Sequence, residues 1–125
     1  MSENKEYIAQ KMENGSIQIS EDVIVSIASM AAMDVEGVYG LGGSGSELTK
    51  LAKKAVGRDV RVEISDADEI SIDCYIIVLY GHSVVDVAKA VQEAVVSSVE
   101  STTGRPVKDV NVSVSGISVP KSGKK

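Results

Sequence analysis

Residues 70–80 read ISIDCYIIVLY, a segment in which every second residue from Ile70 to Val78 is apolar. One face of the strand that this alternation predicts is apolar throughout and carries Ile70, Ile72, Cys74, Ile76 and Val78. The opposite face begins with Ser71 and Asp73 and continues with Tyr75, Ile77 and Leu79. The second half of the strand is therefore apolar on both faces, which predicts a central strand with material packed on each side.

The three large apolar residues of the second face, Tyr75, Ile77 and Leu79, form the candidate interaction surface, called the outer patch below. An outer sheet face that contacts water is normally polar, as the start of this strand is. A cover is therefore needed, and it comes from a helix over residues 46–56, from the N-terminal arm or from a second copy of the protein. We expect a second copy, because exposed apolar patches often mark contact surfaces.

The sequences on either side of this strand predict its neighbours. Val60, Val62 and Ile64 alternate with charged residues, and the polar residues 65–69 then predict a hairpin turn into the central strand. A last strand is predicted where valine alternates with polar residues over 110–115. A short extended piece is also predicted at residues 17–19. A small sheet therefore forms the centre of the predicted fold.

Two helices are predicted to pack on this sheet. Ser20 precedes two acidic residues, which favours a helix start, and apolar residues then recur at helical spacing toward Gly37. Ser83, with Asp86 three residues later, predicts a capped start for a second helix that ends at Gly104. The fold class is therefore α+β with two layers. Two main helices lie on one face of a small mixed sheet of three to four strands, in the order β-α-(α)-β-β-α-β.

The chain is long enough for one domain. Residues 1–14 show no sustained period and predict a flexible or loosely docked arm, residues 15–119 form the α+β domain, and residues 120–125 are a polar basic tail. The glycine-rich segment Gly37–Gly45 is predicted to be a mobile connector.

An accessory helix is predicted over residues 46–56. It carries Lys50, Lys53 and Lys54, which form a candidate secondary basic patch. Acidic residues are interleaved with these lysines, and a solvated helix face is the simpler interpretation.

Composition limits the function classes. The chain of 125 residues has a net charge of −5, 43% hydrophobic residues, and one cysteine, which cannot form an internal disulfide. Acidic charge opposes binding to nucleic acid, and no apolar run has the ~20 residues that a membrane-spanning helix needs. The N-terminus lacks the pattern of a secretory signal, so the expected location is the cytoplasm.

The motifs in the sequence favour no enzymatic activity, no cofactor and no metal. The pattern Gly40-x-Gly42-x-x-Gly45 matches a dinucleotide fingerprint, but a helix and not a buried strand is predicted before it. The acidic turn 65–69 lacks the third oxygen ligand and the glycine of a calcium loop. The single histidine, His82, is next to a helix cap, and the single cysteine, Cys74, is on the predicted core face.

Several short strings occur in the order found in a known family. They are Gly15-x-Ile17-x-Ile19, Ile27-Ala28, Val35-Glu36-Gly37-Val38, Ile72-Asp73-x-Tyr75, Tyr80-Gly81, Val87-Ala88, Val91-Gln92-Glu93, Thr103-Gly104 and Val110-Asn111-Val112-x-Val114-x-Gly116. In this combination the chain resembles the alkaline shock protein family, the Gls-type envelope-stress proteins of Gram-positive bacteria. The resemblance runs from Gly15 to about Val119. Val84-Val85 departs from it, since the family often has Ile-Pro before this helix.

This resemblance implies a non-enzymatic structural or adaptor protein of envelope stress or envelope homeostasis that self-associates and binds protein partners. Some relatives are held at the inner face of the membrane by an integral membrane partner, which implies a cytoplasmic protein that is peripheral to the membrane. Other relatives accompany fatty-acid metabolism, so the alternative is a regulatory binding module for an enzyme of lipid metabolism. The family supplies no catalytic residues.

Overall fold

The computed structural model describes residues 7–42 and 59–119. In chain order the elements are β1 (Tyr7–Met12), β2 (Gly15–Ser20), α1 (Glu21–Met33), β3 (Val38–Leu41), β4 (Val60–Ile64), β5 (Ile70–Leu79), α2 (Val84–Thr103) and β6 (Val107–Ser118). The two helices and the mixed sheet confirm the predicted α+β class.

The main sheet is built around β5. β6 pairs with β5 in parallel along its whole length. β4 pairs antiparallel with its first half and β3 with its second half, so these two strands follow one another along the edge opposite β6. β1 and β2 form a separate antiparallel hairpin.

The core lies between the inner face of β5 and the two helices. Fully buried residues alternate along β5, as the sequence predicts, and α2 contributes valines at four-residue spacing: Val87, Val91, Val95 and Val99. α1 contributes Ile24, Ala28 and Ala32 to the same cluster. Both helices therefore cover one face of the sheet, and the other face of β5 is left without a helix among the described residues.

Local sequence explains where α2 begins and where it ends. The hydroxyl of Ser83 accepts a hydrogen bond from the Asp86 amide at 3.3 Å, which satisfies one free donor of the first turn. Gly104 ends the helix with a φ of 76°, a left-handed conformation that glycine adopts without strain. α1 also begins where predicted, after Ser20, although the Ser20 side chain makes no capping hydrogen bond.

The prediction of an arm over residues 1–14 is wrong for residues 7–12, which form β1. Ile8 is fully buried in the main core, and the Gln10 side chain donates to the Thr103 carbonyl at the end of α2 at 3.2 Å. A single buried residue leaves no period to detect, although the Asn14-Gly15 dipeptide is a hairpin signal. The limits of the domain at 15–119 and of the tail at 120–125 stay predictions.

The prediction of a mobile connector is also wrong for Val38–Leu41, which form β3. Backbone hydrogen bonds to β5 hold this strand, including one from the Leu79 amide to the Gly37 carbonyl at 2.8 Å and one from the Gly42 amide to the Tyr75 carbonyl at 2.9 Å. Such bonds do not depend on side chains, so a glycine-rich sequence gives no warning of them. Residues 43–45 and the predicted helix over 46–56 lie outside the described residues.

Candidate interaction surface

The outer face of β5 carries Tyr75, Ile77 and Leu79, and each of them is half-buried. The neighbours on this face are small: β6 places Ser113 opposite Tyr75 and Gly116 opposite Ile77, and β3 places Gly40 opposite Ile77. All three large side chains therefore have small neighbours on β6. The structure therefore brings the whole predicted outer patch together on one face.

One backbone segment accounts for part of the burial of this patch. The position that a Cβ of residue 42 would occupy lies 2.7 Å from Cδ1 of Ile77, so the Gly42 backbone rests directly on that side chain. The Ser115 hydroxyl donates to the carbonyls of Gly42 and of Ile76, the latter at 3.3 Å. Gly42 and Ser115 thus belong to this surface, and no sequence pattern points to either of them.

The start of β5 is polar on the same face. Asp73 accepts a hydrogen bond from the Asn111 side chain at 3.0 Å, and it lies opposite Arg61 of β4. These groups can satisfy one another or contact water. The outer face is therefore divided into a polar half and an apolar half, which is the arrangement of an interface with a hydrophilic border.

The predicted basic patch of Lys50, Lys53 and Lys54 lies outside the described residues. At the hairpin turn, the carboxylates of Asp68 and Glu69 face Arg105 at 3.6 Å and Lys108 at 3.9 Å, so basic side chains near the start of β6 balance their charge. Across residues 7–42 and 59–119, no group of three or more His, Cys, Asp or Glu side chains is placed to hold a metal ion.

Cys74 lies on the inner face and is fully buried. Burial raises the pKa of its thiol from 9.0 to about 11, and the neighbouring Asp73 carboxylate adds to the rise. A thiol that stays neutral is a poor nucleophile and a poor metal ligand. The position of Cys74 therefore fits a small packing residue.

This raised pKa predicts a specific loss of stability in alkaline solution. The unfolded chain ionises its thiol at pH 9.0 but the folded chain only at about 11, so this contribution is complete below pH 9.0 and is lost as the pH rises to about 11. The loss amounts to about 2–3 kcal/mol. Urea unfolding at several pH values should show a steeper decline for the wild type than for Cys74→Ala, in which tyrosines and lysines still titrate. Equal declines would show that the thiol is not protected in the folded state.

Known proteins of similar sequence indicate the family to which the chain is related. The sequence profile of the alkaline shock protein 23 family matches residues 9–119, and this family is described as having a cell envelope-related function. The chain is 36% identical over 109 residues to the uncharacterized protein YloU of Bacillus subtilis (strain 168), covering 84% of this chain and 90% of YloU. It is 32% identical over 105 residues to the uncharacterized protein YqhY of the same organism, covering 82% of this chain and 77% of YqhY.

Solved structures give a weaker likeness. One MamM CTD structure has a TM-score of 0.48 at 20% identity and covers 81% of this chain and 96% of its own. A second MamM CTD structure has a TM-score of 0.49 at 21% identity, with 77% and 96% coverage. A likeness at this level says nothing about function. The match of the family profile across most of the chain, and the identity to two relatives, show that the chain belongs to the alkaline shock protein 23 family, whose function is related to the cell envelope.

Proposed function

We propose that the protein is a non-enzymatic structural or adaptor protein of the cell envelope, which acts by self-association and by binding protein partners. The observation that carries the proposal is the outer patch of Tyr75, Ile77 and Leu79 on a sheet face that no described helix covers. Large apolar side chains grouped on such a face favour contact with another surface.

A second copy of the chain is the cover that we propose for the outer patch. Residues 7–12, which belong to the arm considered above as a cover, instead place Ile8 in the core on the helix side of the sheet. The polar half of the outer face, with Asp73 and Asn111, then supplies the rim of a contact whose centre is apolar. A two-fold contact between two such faces would bury the same patch on both copies.

We propose that such an assembly lies at the inner face of the membrane, a place that is compatible with the family's cell envelope-related function. No helix within the described ranges is long and apolar enough to cross a membrane. In our proposal the protein is cytoplasmic and reaches the membrane through an integral membrane partner.

The test compares the oligomeric state of the wild type with that of the double variant Ile77→Lys, Leu79→Lys. We expect a wild type heavier than the 13.1 kDa monomer at micromolar concentration and a monomeric double variant, because two buried ammonium groups would each cost several kcal/mol at the interface. Light scattering measures the mass and circular dichroism reports whether the fold is kept. Met12→Lys, which changes an exposed residue of β1, is the matched control and should keep the wild-type mass.

Two outcomes would contradict self-association through this patch. One is a monomeric wild type across the concentration range. The other is a double variant that unfolds, together with a Leu79→Ser variant that stays folded and keeps the wild-type mass, since this pair of results would assign the patch to an intramolecular contact.

A further inference from the structure

A second exposed apolar surface lies on α1, on the helix side of the domain. Met30 and Met33 in its last turns are 67% and 52% exposed, and Val23 in its first turn is 44% exposed. Met30 and Met33 line an open cleft of about 270 Å³ together with Ser29 and Asp34, called the methionine cleft below. The buried side of the same helix, with Ile24, Ala28 and Ala32, faces the core, so the cleft points away from it.

Acidic residues predominate among the described residues around the methionine cleft. The described residues 12–42 contain five acidic residues and no lysine or arginine. Asp22 is exposed at the start of α1, and Asp34 and Glu36 are exposed just after its end. On the described elements packed against α1, the basic residues are Lys89 of α2 and Arg61, which lies on the outer face of β4. The helix therefore offers apolar side chains with carboxylates at both of its ends.

We infer that the methionine cleft of α1 is the docking site for a cationic amphipathic helix of another protein, an inference that deepens the adaptor function proposed above. Methionine side chains are flexible and polarizable and fit irregular apolar partners. An amphipathic helix presents apolar residues at three- and four-residue spacing, which can lie along the 13-residue helix α1. Lysine or arginine at the ends of the partner helix would meet Asp22, Asp34 and Glu36.

Charge argues against the other occupants of the cleft. In a two-fold contact between two copies, the acidic groups at the ends of α1 would approach acidic groups of the second copy, which is repulsive. An anionic lipid surface would be repelled by the same carboxylates. The outer patch lies on the opposite layer of the domain, so one copy could associate with its neighbour and hold a basic partner at the same time.

The test is binding of a synthetic helical peptide of about 18 residues, with leucine at positions i, i+3, i+4 and i+7 and lysine elsewhere. Fluorescence anisotropy of the labelled peptide gives the affinity, and ¹⁵N-labelled protein shows which amides shift. We expect shifts centred on residues 22–36 and an affinity about tenfold weaker for Met30→Ser, Met33→Ser. Asp34→Asn, Glu36→Gln should weaken binding severalfold and reduce its dependence on salt.

The matched controls separate this site from general attraction to an acidic protein. Met12→Ser removes an exposed methionine of β1, 51% exposed against 52% for Met33, and should leave the affinity unchanged. A peptide with glutamate in place of lysine, and a lysine peptide of scrambled order, should both bind at least about tenfold more weakly. The variant Ile77→Lys, Leu79→Lys should still bind the peptide, so a failure of self-association would not be confused with a failure of this site.

Four results would overturn the inference. The first two are no binding up to about millimolar peptide and binding that the Met30→Ser, Met33→Ser substitutions do not weaken. The third is a change of oligomeric mass in this double variant, which would assign the cleft to a second copy. The fourth is binding of the wild type to phosphatidylglycerol vesicles that the same two substitutions abolish.

Discussion

Replacing Gly37 with alanine is expected to lower the free energy of unfolding by about 3–5 kcal/mol. Gly37 is buried with a φ of +99°, a region that residues with a Cβ rarely adopt. A Cβ at this position would lie 2.7 Å from Cγ2 of Val87 and 3.1 Å from the His82 ring. Backbone strain and a steric clash with Val87 and His82 therefore add together. Chemical denaturation monitored by circular dichroism measures the loss.

Gly81→Ala is the matched control for this substitution. Gly81 has a similar φ of +103°, but it is exposed and nothing lies within 4 Å of its Cβ position. Its cost should therefore be limited to backbone strain, about 1–2 kcal/mol. Equal losses in the two variants would show that Val87 and His82 leave room for a Cβ at residue 37.

The second large effect is expected at Ile76, which is fully buried on the inner face of β5. Ile76→Ala should lower the free energy of unfolding by about 3–5 kcal/mol, because it removes buried methyl groups and leaves a cavity between the sheet and the helices. The measurement is urea unfolding at a protein concentration below that of self-association.

Ile77→Ala is the matched control, since it makes the same change one residue later and on the other face. Ile77 is half-buried and contacts the Gly42 backbone, so its loss should cost only about 1–2 kcal/mol in the isolated chain. The stability of the wild type, unlike that of Ile77→Ala, should also rise with protein concentration if a second copy covers this face. A larger loss at Ile77 than at Ile76 would reverse the assignment of the two faces.

Prediction from the sequence succeeded where a long element has one buried face. The apolar residues at every second position from Ile70 to Val78 and the helical spacing of the valines in α2 were sufficient to place β5 and α2, because each residue on the wrong face would lose its burial energy. The shared face of Tyr75, Ile77 and Leu79 was predictable for the same reason, whereas their role as an interaction surface stays a prediction.

Prediction failed where backbone pairing or a single contact holds the chain. β3 is fixed by hydrogen bonds to β5 along a glycine-rich segment, and β1 by one buried isoleucine, Ile8, with its pairing to β2. The contact of Gly42 with Ile77 joins residues that are far apart in the sequence, and it involves no side chain of Gly42. Periodicity detects neither kind of contact.

The sequence by itself determined the α+β class, the two helices, the hairpin of β4 and β5, and the family, because each of these depends on local periodicity, on turn chemistry or on the order of short strings. Only the tertiary structure decided which surfaces remain open. It placed both helices on the inner face of β5 and turned Met30 and Met33 away from the core. The identity of an apolar residue on a helix does not indicate whether its side chain is buried or exposed. Only packing against the other layer distinguishes the two cases.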